Sequence, residues 1–380
     1  MRRNLLKSAY ICLTLLLISS CFNKLHYTYE PVPPLDSLDS LIDANMTQLV
    51  RFPIKQETNI TSIVAVGDIM IGEHVIEFLD TYGHSYPFDS TCHILQSAPF
   101  TIGNLEAPFA KSGERFDKTF TFKIDPQYAD GLVDAGFDVL NLANNHIMDF
   151  GSTALKSTLN TLDSLQLSHC GAGMNLDEAR SPVIVTRNKT SIGFIGCSLT
   201  FPEEFWAGAN RAGTFYPYEQ QLIEQIKRSE LLADYTVVSF HWGQELRNTP
   251  KDYQLYFAHL CIDNGADIVL GHHPHILQGI ELYKQKLIIY SLGNFAFGSY
   301  SGKTRDSIIL KLYLMNREFL FARVIPVSVH NSEVKFQPRV AKGERAKSII
   351  SHLNQLSFSL NQERIIIDEN GYIWGNWPEL

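Results

Sequence analysis

Ala266-Asp267-Ile268-Val269-Leu270-Gly271-His272-His273-Pro274-His275 joins a short apolar run to three imidazoles within four positions. The apolar part reads as a buried strand. The imidazoles stand at its exit, where α/β folds place their ligand sites. A single histidine there would read as an ordinary surface or core residue. Three together are of no use to a core, whereas neutral imidazole is the commonest protein ligand for Zn, Mn, Fe and similar ions.

The same layout recurs along the chain. Ile63-Val64-Ala65-Val66 leads into Gly67-Asp68, and Phe100-Thr101-Ile102 into Gly103-Asn104-Leu105-Glu106. Val139 to Ala143 leads into Asn144-Asn145-His146, and Thr236 to Phe240 into His241-Trp242-Gly243-Gln244-Glu245. Each time a largely β-branched run ends in Asp, Glu, Asn or His. If the strands lie side by side in one sheet, five separated motifs converge on a shared edge. That convergence predicts a metal centre.

With 380 residues and 45% hydrophobic content the chain can bury a large core. Its net charge of -8 excludes a general nucleic-acid footprint, so nucleic acid is not expected as a partner. Arg2, Arg3 and Lys7 precede an apolar stretch from Ala9 to Ile18, and Ser19-Ser20-Cys21 follows. The order of charged, apolar and small residues predicts an export signal. The apolar part is shorter than the roughly 20 residues that a spanning helix needs. Ser-Ser-Cys resembles a bacterial lipobox, which implies cleavage before Cys21 and lipid attachment to its thiol. Residues 1–20 are then a signal peptide. Residues 21–60, with Glu30-Pro31-Val32-Pro33-Pro34, form a tether, within which Leu38 to Arg51 could form a short helix. The protein is expected to be exported and lipid-anchored to the cell-envelope membrane. Cys92, Cys170, Cys197 and Cys261 have no metal-finger spacing and read as small buried hydrophobes.

From Ser62 onward strand-like runs alternate with helix-like stretches at Gly72 to Asp80, Pro126 to Ala135, Ser152 to Leu165, Glu219 to Leu232 and Asp252 to Asn264. The alternation predicts an α/β (α+β) domain over residues 61–343. Gly136 and Gly265 fit as helix C-caps. After Asn294 the text turns β-rich, at Ser307 to Leu314, Phe319 to Val329 and Val334 to Gln337. Residues 344–380 hold a helix from Arg345 to Leu356 and a hairpin turning at Asn370-Gly371.

Taken together, the motifs GDIM (Gly67 to Met70), GNLE (Gly103 to Glu106), LANNHIMDFG (Leu142 to Gly151), HWGQE (His241 to Glu245), GHHPH (Gly271 to His275) and YSLGNF (Tyr290 to Phe295) resemble the CapA family. These are bacterial capsule or poly-γ-glutamate biosynthesis proteins, related in turn to the calcineurin-like metallophosphoesterases. The resemblance covers residues 62 to 300. It implies a metallophosphoesterase-like four-layer αββα sandwich with a C-terminal β-rich part. It also implies a divalent metal (Mn, Fe or Zn, one or two ions) held by Asp68, Glu106, Asn145, His241, His273 and His275, with His272 the less favoured choice because the His-x-His spacing selects the other two. His146 corresponds to the imidazole that faces substrate, with Asp149 placed to orient it. Two positions depart from the phosphoesterase pattern: Met70 stands where a His ligand is expected, and Asn104 where the bridging Asp is expected.

Glu245, four residues after His241, is a candidate general base or ligand. Lys123 and Arg211 are candidates to hold an anionic substrate, and Asn294 to shape the pocket floor. Trp242 reads as core. Two functions compete: metal-assisted hydrolysis of a phosphoester or amide bond in an anionic envelope polymer or its precursor, and metal-dependent binding of such a polymer without turnover. Both make that polymer, the membrane (through the lipid anchor) and the capsule-synthesis machinery the expected partners.

Overall fold

The structure, a computed structural model, describes residues 60–375. The signal peptide, Cys21, the tether and the Leu38 to Arg51 helix lie outside the described residues. In chain order the strands are β1 (Ile60–Met70), β2 (Phe100–Leu105), β3 (Val139–Asn141), β4 (Ser168–Cys170), β5 (Ala172–Gly173), β6 (Val183–Arg187), β7 (Thr190–Ser198) and β8 (Gly213–Thr214). There follow β9 (Tyr235–His241), β10 (Ile268–His272), β11 (Ile280–Tyr283), β12 (Lys286–Ile289), β13 (Asn294–Phe297), β14 (Asp306–Met315), β15 (Glu318–Ser328), β16 (Arg339–Val340) and β17 (Tyr372–Trp374).

Two sheets carry the architecture. The larger runs β16-β15-β14-β1-β2-β3-β4, with β13 also pairing β1 and β17 also pairing β15. The smaller runs β11-β12-β10-β9-β7-β6. The side-chain period of two along each strand sorts residues between layers. Ile63, Ala65, Phe100, Ile102 and Val139 of the first sheet meet Ile192, Phe194, Val237, Ile268 and Leu270 of the second in one core. The alternate residues Val64, Val66 and Leu140 pack outward against Leu132 and Leu155 of the helices Asp130–Ala135 and Gly151–Ser164. On the far side Ile195, Val238 and Phe240 pack on Leu222 and Ile226 of Glu219–Leu232 and Ala258 and Cys261 of Asp252–Asp263. The layers are therefore α, β, β, α, as expected. Burying a side chain such as Phe100 or Phe194 contributes roughly 1.5–3 kcal/mol.

The five motif-bearing strands do not share one sheet. β1, β2 and β3 belong to the larger and β9 and β10 to the smaller, so the convergence arises where the ends of two facing sheets meet. Expected helices appear close to their sequence bounds, and Gly136 terminates its helix at φ 95°. Val334 to Gln337 is not a strand. Asn331–Val334 forms a helical turn, and Lys335 and Phe336 adopt φ of 53° and 60°. That bend buries Phe336 edge-on against Phe78 and Tyr300, at 5.4 and 4.8 Å between centroids, a packing that an extended segment would forgo. The C-terminal residues complete the same body: Ile349, Ile350 and Leu353 of the helix Gly343–Ser357 enter the inter-sheet core, and β17 pairs β15. Among the described residues no helix is long and apolar enough to cross a membrane.

Candidate metal centre

Strand register places the polar residues in two rows. Across the larger sheet Asn294, Asp68, Asn104 and Asn141 stand level on β13, β1, β2 and β3. Across the smaller sheet Ser198, His241 and His272 stand level on β7, β9 and β10. Gly67 allows β1 to reach this level beside the turn that precedes β13. A Cβ there would sit 1.8 Å from the Gly293 carbonyl oxygen, and the neighbouring Asp68 amide donates to that same oxygen at 3.0 Å. Beyond β10 the chain turns sharply into the space between the rows. His273 and His275 hold φ of 95° and 59°, a conformation that costs roughly 1–3 kcal/mol per non-glycine residue and clusters at functional sites.

The side chains meet there. Asp68, Glu106 and His241 offer three donors within 4.8 Å of one another, and so do Glu106, His273 and His275. Glu106 is common to both sets. Its Oε1 lies 3.6 Å from His241 Nε2 and 3.7 Å from His275 Nε2, yet it is buried with no hydrogen-bond partner. His241 Nε2 also stands 2.8 Å from Asn145 Oδ1. Two such lone pairs approach this closely only with a proton or a cation between them. His275 Nδ1 lies 3.2 Å from Asp68 Oδ2 and 2.9 Å from Asn294 Oδ1. His273 donates its backbone N–H to Asp68 Oδ2 at 3.3 Å, and its Nδ1 is buried without a partner. His272 is buried too, with Nδ1 3.5 Å from Asp68 Oδ1.

Buried polar atoms left without partners are costly, and buried charges more so. Burial pushes the Glu106 carboxyl well above the usual carboxylate range, and the neighbouring Asp68 adds to the push. Burial acts on Asp68 in the same direction, but hydrogen bonds from His272 and His275 outweigh it and hold Asp68 well below that range. Burial would deprotonate His275, yet the Glu106 and Asp68 carboxylates raise it to about 10. Burial and the charge on His275 bring His273 down to about 3, and burial with the charge on His273 also depresses His241. An oxygen and nitrogen donor set of this kind, largely buried and short of hydrogen bonds, fits a borderline dication. Without metal, the imidazolium of His275 supplies the missing positive charge. Metal uptake at pH 7 should therefore release more than about one proton, from His275 and from the raised carboxyl of Glu106. The slope of calorimetric binding enthalpy against buffer ionisation enthalpy would measure it, and a slope of zero would contradict it.

Asn104 is the hub that sequence alone does not place. Its Nδ2 approaches Asp68 Oδ1 at 2.9 Å, His241 Nδ1 at 3.2 Å and Glu106 Oε2 at 3.4 Å, and its Oδ1 accepts from Asn141 and Asn144. It holds three of the candidate donors in mutual register. Met70 is buried in the outer core and its Sδ accepts from the Gly72 amide at 3.3 Å.

His146 stands beside the donors. Its Nδ1 lies 2.8 Å from Asp149 Oδ2 and 3.2 Å from Lys118 Nζ. Lys118 also pairs with Asp149 Oδ1 at 2.5 Å and donates to the Asn145 carbonyl. Lys118 comes from a loop with no periodicity or motif, so nothing in the sequence marks it. The remaining candidates sit further out. Glu245 is exposed, and its charge still bears on Glu106, Lys118 and His275. The Lys123 ammonium lies 4.5 Å from the Phe150 ring centroid and 3.4 Å from the Lys111 carbonyl. Arg211 is exposed and spends its Nε on the Trp206 carbonyl at 3.0 Å. Trp242 is buried, stacked 4.2 Å from Phe240, and donates to the Tyr290 carbonyl.

The profile of a family described as "Bacterial capsule synthesis protein PGA_cap" matches residues 62–299. The chain is 33% identical over 296 residues to "Capsule biosynthesis protein CapA" of Bacillus anthracis, covering 74% of this chain and 71% of that protein. It is 33% identical over 300 residues to "PGA biosynthesis protein CapA" of Bacillus subtilis (strain 168), covering 78% of each. Among solved structures, a 5'-nucleotidase precursor from Thermus thermophilus aligns with a TM-score of 0.43 at 13% identity. That alignment covers 78% of this chain and 59% of the nucleotidase, so the chain spans less than two thirds of that protein.

Proposed function

The chain belongs to the PGA_cap family of bacterial capsule synthesis proteins, and we propose that it is a metal-dependent hydrolase acting on a phosphoester or amide bond of an anionic capsule polymer or its precursor. The observation that carries this reading is Glu106 Oε1, buried, unpartnered and shared by both donor sets. Asp68, Glu106, Asn145 and His241 would hold one ion, and Glu106 with His273 and His275 a second. A bound Mn, Fe or Zn ion supplies polarisation of the bond under attack and activation of water.

The chain's own residues do the rest. Asn104 keeps Asp68, Glu106 and His241 in mutual register through its amide. Asp149 and Lys118 engage Nδ1 of His146, which leaves Nε2 as the nitrogen facing the leaving group, to which the protonated imidazolium form would give its Nε2 proton. Glu245 adds negative charge at the rim. Upstream, a lipidated Cys21 and the tether would hold the domain at the outer side of the membrane, near the synthesis machinery. Radiolabelled palmitate incorporation that disappears in Cys21→Ala would support that placement.

The test of the hydrolase is metal analysis combined with turnover of a generic phosphodiester and of a γ-glutamyl amide. Chelation should abolish turnover and Mn, Fe or Zn should restore it. His241→Ala, which removes one member of one donor set, should weaken metal binding at least tenfold, since even outer partners of ligands are worth about 10- to 100-fold. Turnover unaffected by chelation would reject the reading. A metal-dependent polymer-binding scaffold is the second reading, favoured by Met70 facing the core and by the neutral Asn104. Turnover that appears only in the Met70→His, Asn104→Asp double variant would select it.

A further inference from the structure

A cleft of about 520 Å³ is lined by Asn145 and His273 of the centre, by Leu199, Tyr216 and Phe257, and by Lys251. Its size suits a short ligand segment. No Asp, Glu, Arg or second Lys is among the lining residues. Lys251 is half-buried, and its ammonium has no ion pair or hydrogen bond among the described residues. An unpaired cation in a partly desolvated wall attracts an anion.

The base of this lysine is fixed. Its backbone amide donates to Gln254 Oε1 at 2.9 Å, Gln254 Nε2 donates to Gln278 Oε1 at 3.1 Å, and Gln278 Nε2 donates to the Arg247 carbonyl at 2.8 Å. Gln254 and Gln278 are both fully buried. The loop after His241 is tied to the same helix, since the Gly243 amide donates to the Tyr253 hydroxyl at 2.8 Å. A recognition group works best from such a rigid support. Lys251 also stands clear of the donors: the charges that bear most on Glu106, His273 and His275 include those of Lys118 and Glu245 and not that of Lys251.

We infer that Lys251 is a specificity-determining residue, pairing with a carboxylate carried beside an amide bond of the substrate chain while that bond lies at the donors. In a phosphodiester polymer the negative charge belongs to the bond that is cut and would meet the donors directly. A lone cation set apart from them matches a charge held on a side stem instead. Leu199, Phe257 and the ring of Tyr216 offer carbon surface to the methylene groups of such a stem. The inference rests on the proposed hydrolase reading and narrows its substrate from a phosphoester or amide to an amide between carboxylate-bearing units.

The experiment is calorimetric titration of the full chain under chelation, where the hydrolase reading permits no turnover. The probes are tri-γ-glutamate, the same trimer with its α-carboxylates converted to carboxamides, and a glycerol phosphate trimer. Tri-γ-glutamate should bind at least about tenfold more tightly than the other two, the scale of a hydrogen bond to a charged group. Lys251→Met should abolish that preference and Lys251→Arg should keep it. Lys227→Met, which removes the same charge from a helix position paired with Glu230 at 3.1 Å, should leave it unchanged. Carboxamide or phosphodiester trimer binding as tightly as the acid would overturn the inference. So would no binding of the acid, a preference that survives Lys251→Met, or one lost equally in Lys227→Met. Rates on metal-loaded protein separate the two readings. Metal-dependent amide turnover whose KM is the same in Lys251→Met rejects the subsite alone. A Lys251-dependent preference without chelator-sensitive turnover rejects the hydrolase reading alone.

Discussion

Glu106→Gln should strip the centre of both ions while leaving the metal-free fold at least as stable as the parent. Glu106 is the only residue common to the two donor sets, so its loss removes an anionic ligand from each. The expected fall in metal affinity exceeds about 100-fold, since losing a mere outer partner of a ligand costs about 10- to 100-fold. The stability arm follows from proton linkage. The Glu106 carboxyl is raised well above its ordinary 4.5, first by burial and then by Asp68. Between 4.5 and that raised value the metal-free folded state binds more protons than the unfolded state, so Glu106 contributes a loss of stability as pH rises through the window. Glutamine carries no such proton. Thermal unfolding of chelated samples should therefore show the variant gaining on the parent as pH rises from about 5 to about 8. Metal added at about pH 7.5 should raise the melting temperature of the parent only. A variant that still binds metal like the parent would show that Glu106 is not a ligand.

His146→Ala should lower turnover by about 10²- to 10⁴-fold, the usual worth of a positioned general acid, with bound metal unchanged. Burial keeps His146 below the usual imidazole range, and Asp149 and Lys118 engage the same nitrogen, so its other nitrogen is the one available to substrate. None of the atoms His146 contacts belongs to the two carboxylates that anchor the ions. Inductively coupled plasma analysis beside steady-state rates checks the split. Loss of metal in parallel with rate would move His146 from proton donor to structural support.

The strand ends can be read from sequence because a β-branched run stopping at Asp, Asn or His is a local pattern. Their grouping into two sheets cannot, since hydrophobic periodicity says which face is buried but not which strand lies alongside. β6 and β7 escape a motif-led reading for a related reason: Val183 to Ser198 ends in Cys197-Ser198 with no chemistry-bearing residue to draw notice. The donors are legible because imidazoles and carboxylates are rare at such positions. Lys118 is not, because its role depends on a loop folding back over Asp149, a contact between residues far apart in sequence. The three hydrogen-bonding approaches of the Asn104 amide nitrogen are equally hidden, because an amide in the bridging position reads as a missing carboxylate until its neighbours are seen.

Because the carboxylates project from one sheet and most of the imidazoles from the other, an ion seated among them would rivet the two halves of the sandwich together. Such a rivet ties the persistence of the whole body to cation supply, by RT ln(1 + [M]/Kd). With the domain placed outside the cell as proposed, where the medium would set that supply, scarcity would then be felt as loosening of the body itself as well as idleness of its chemistry.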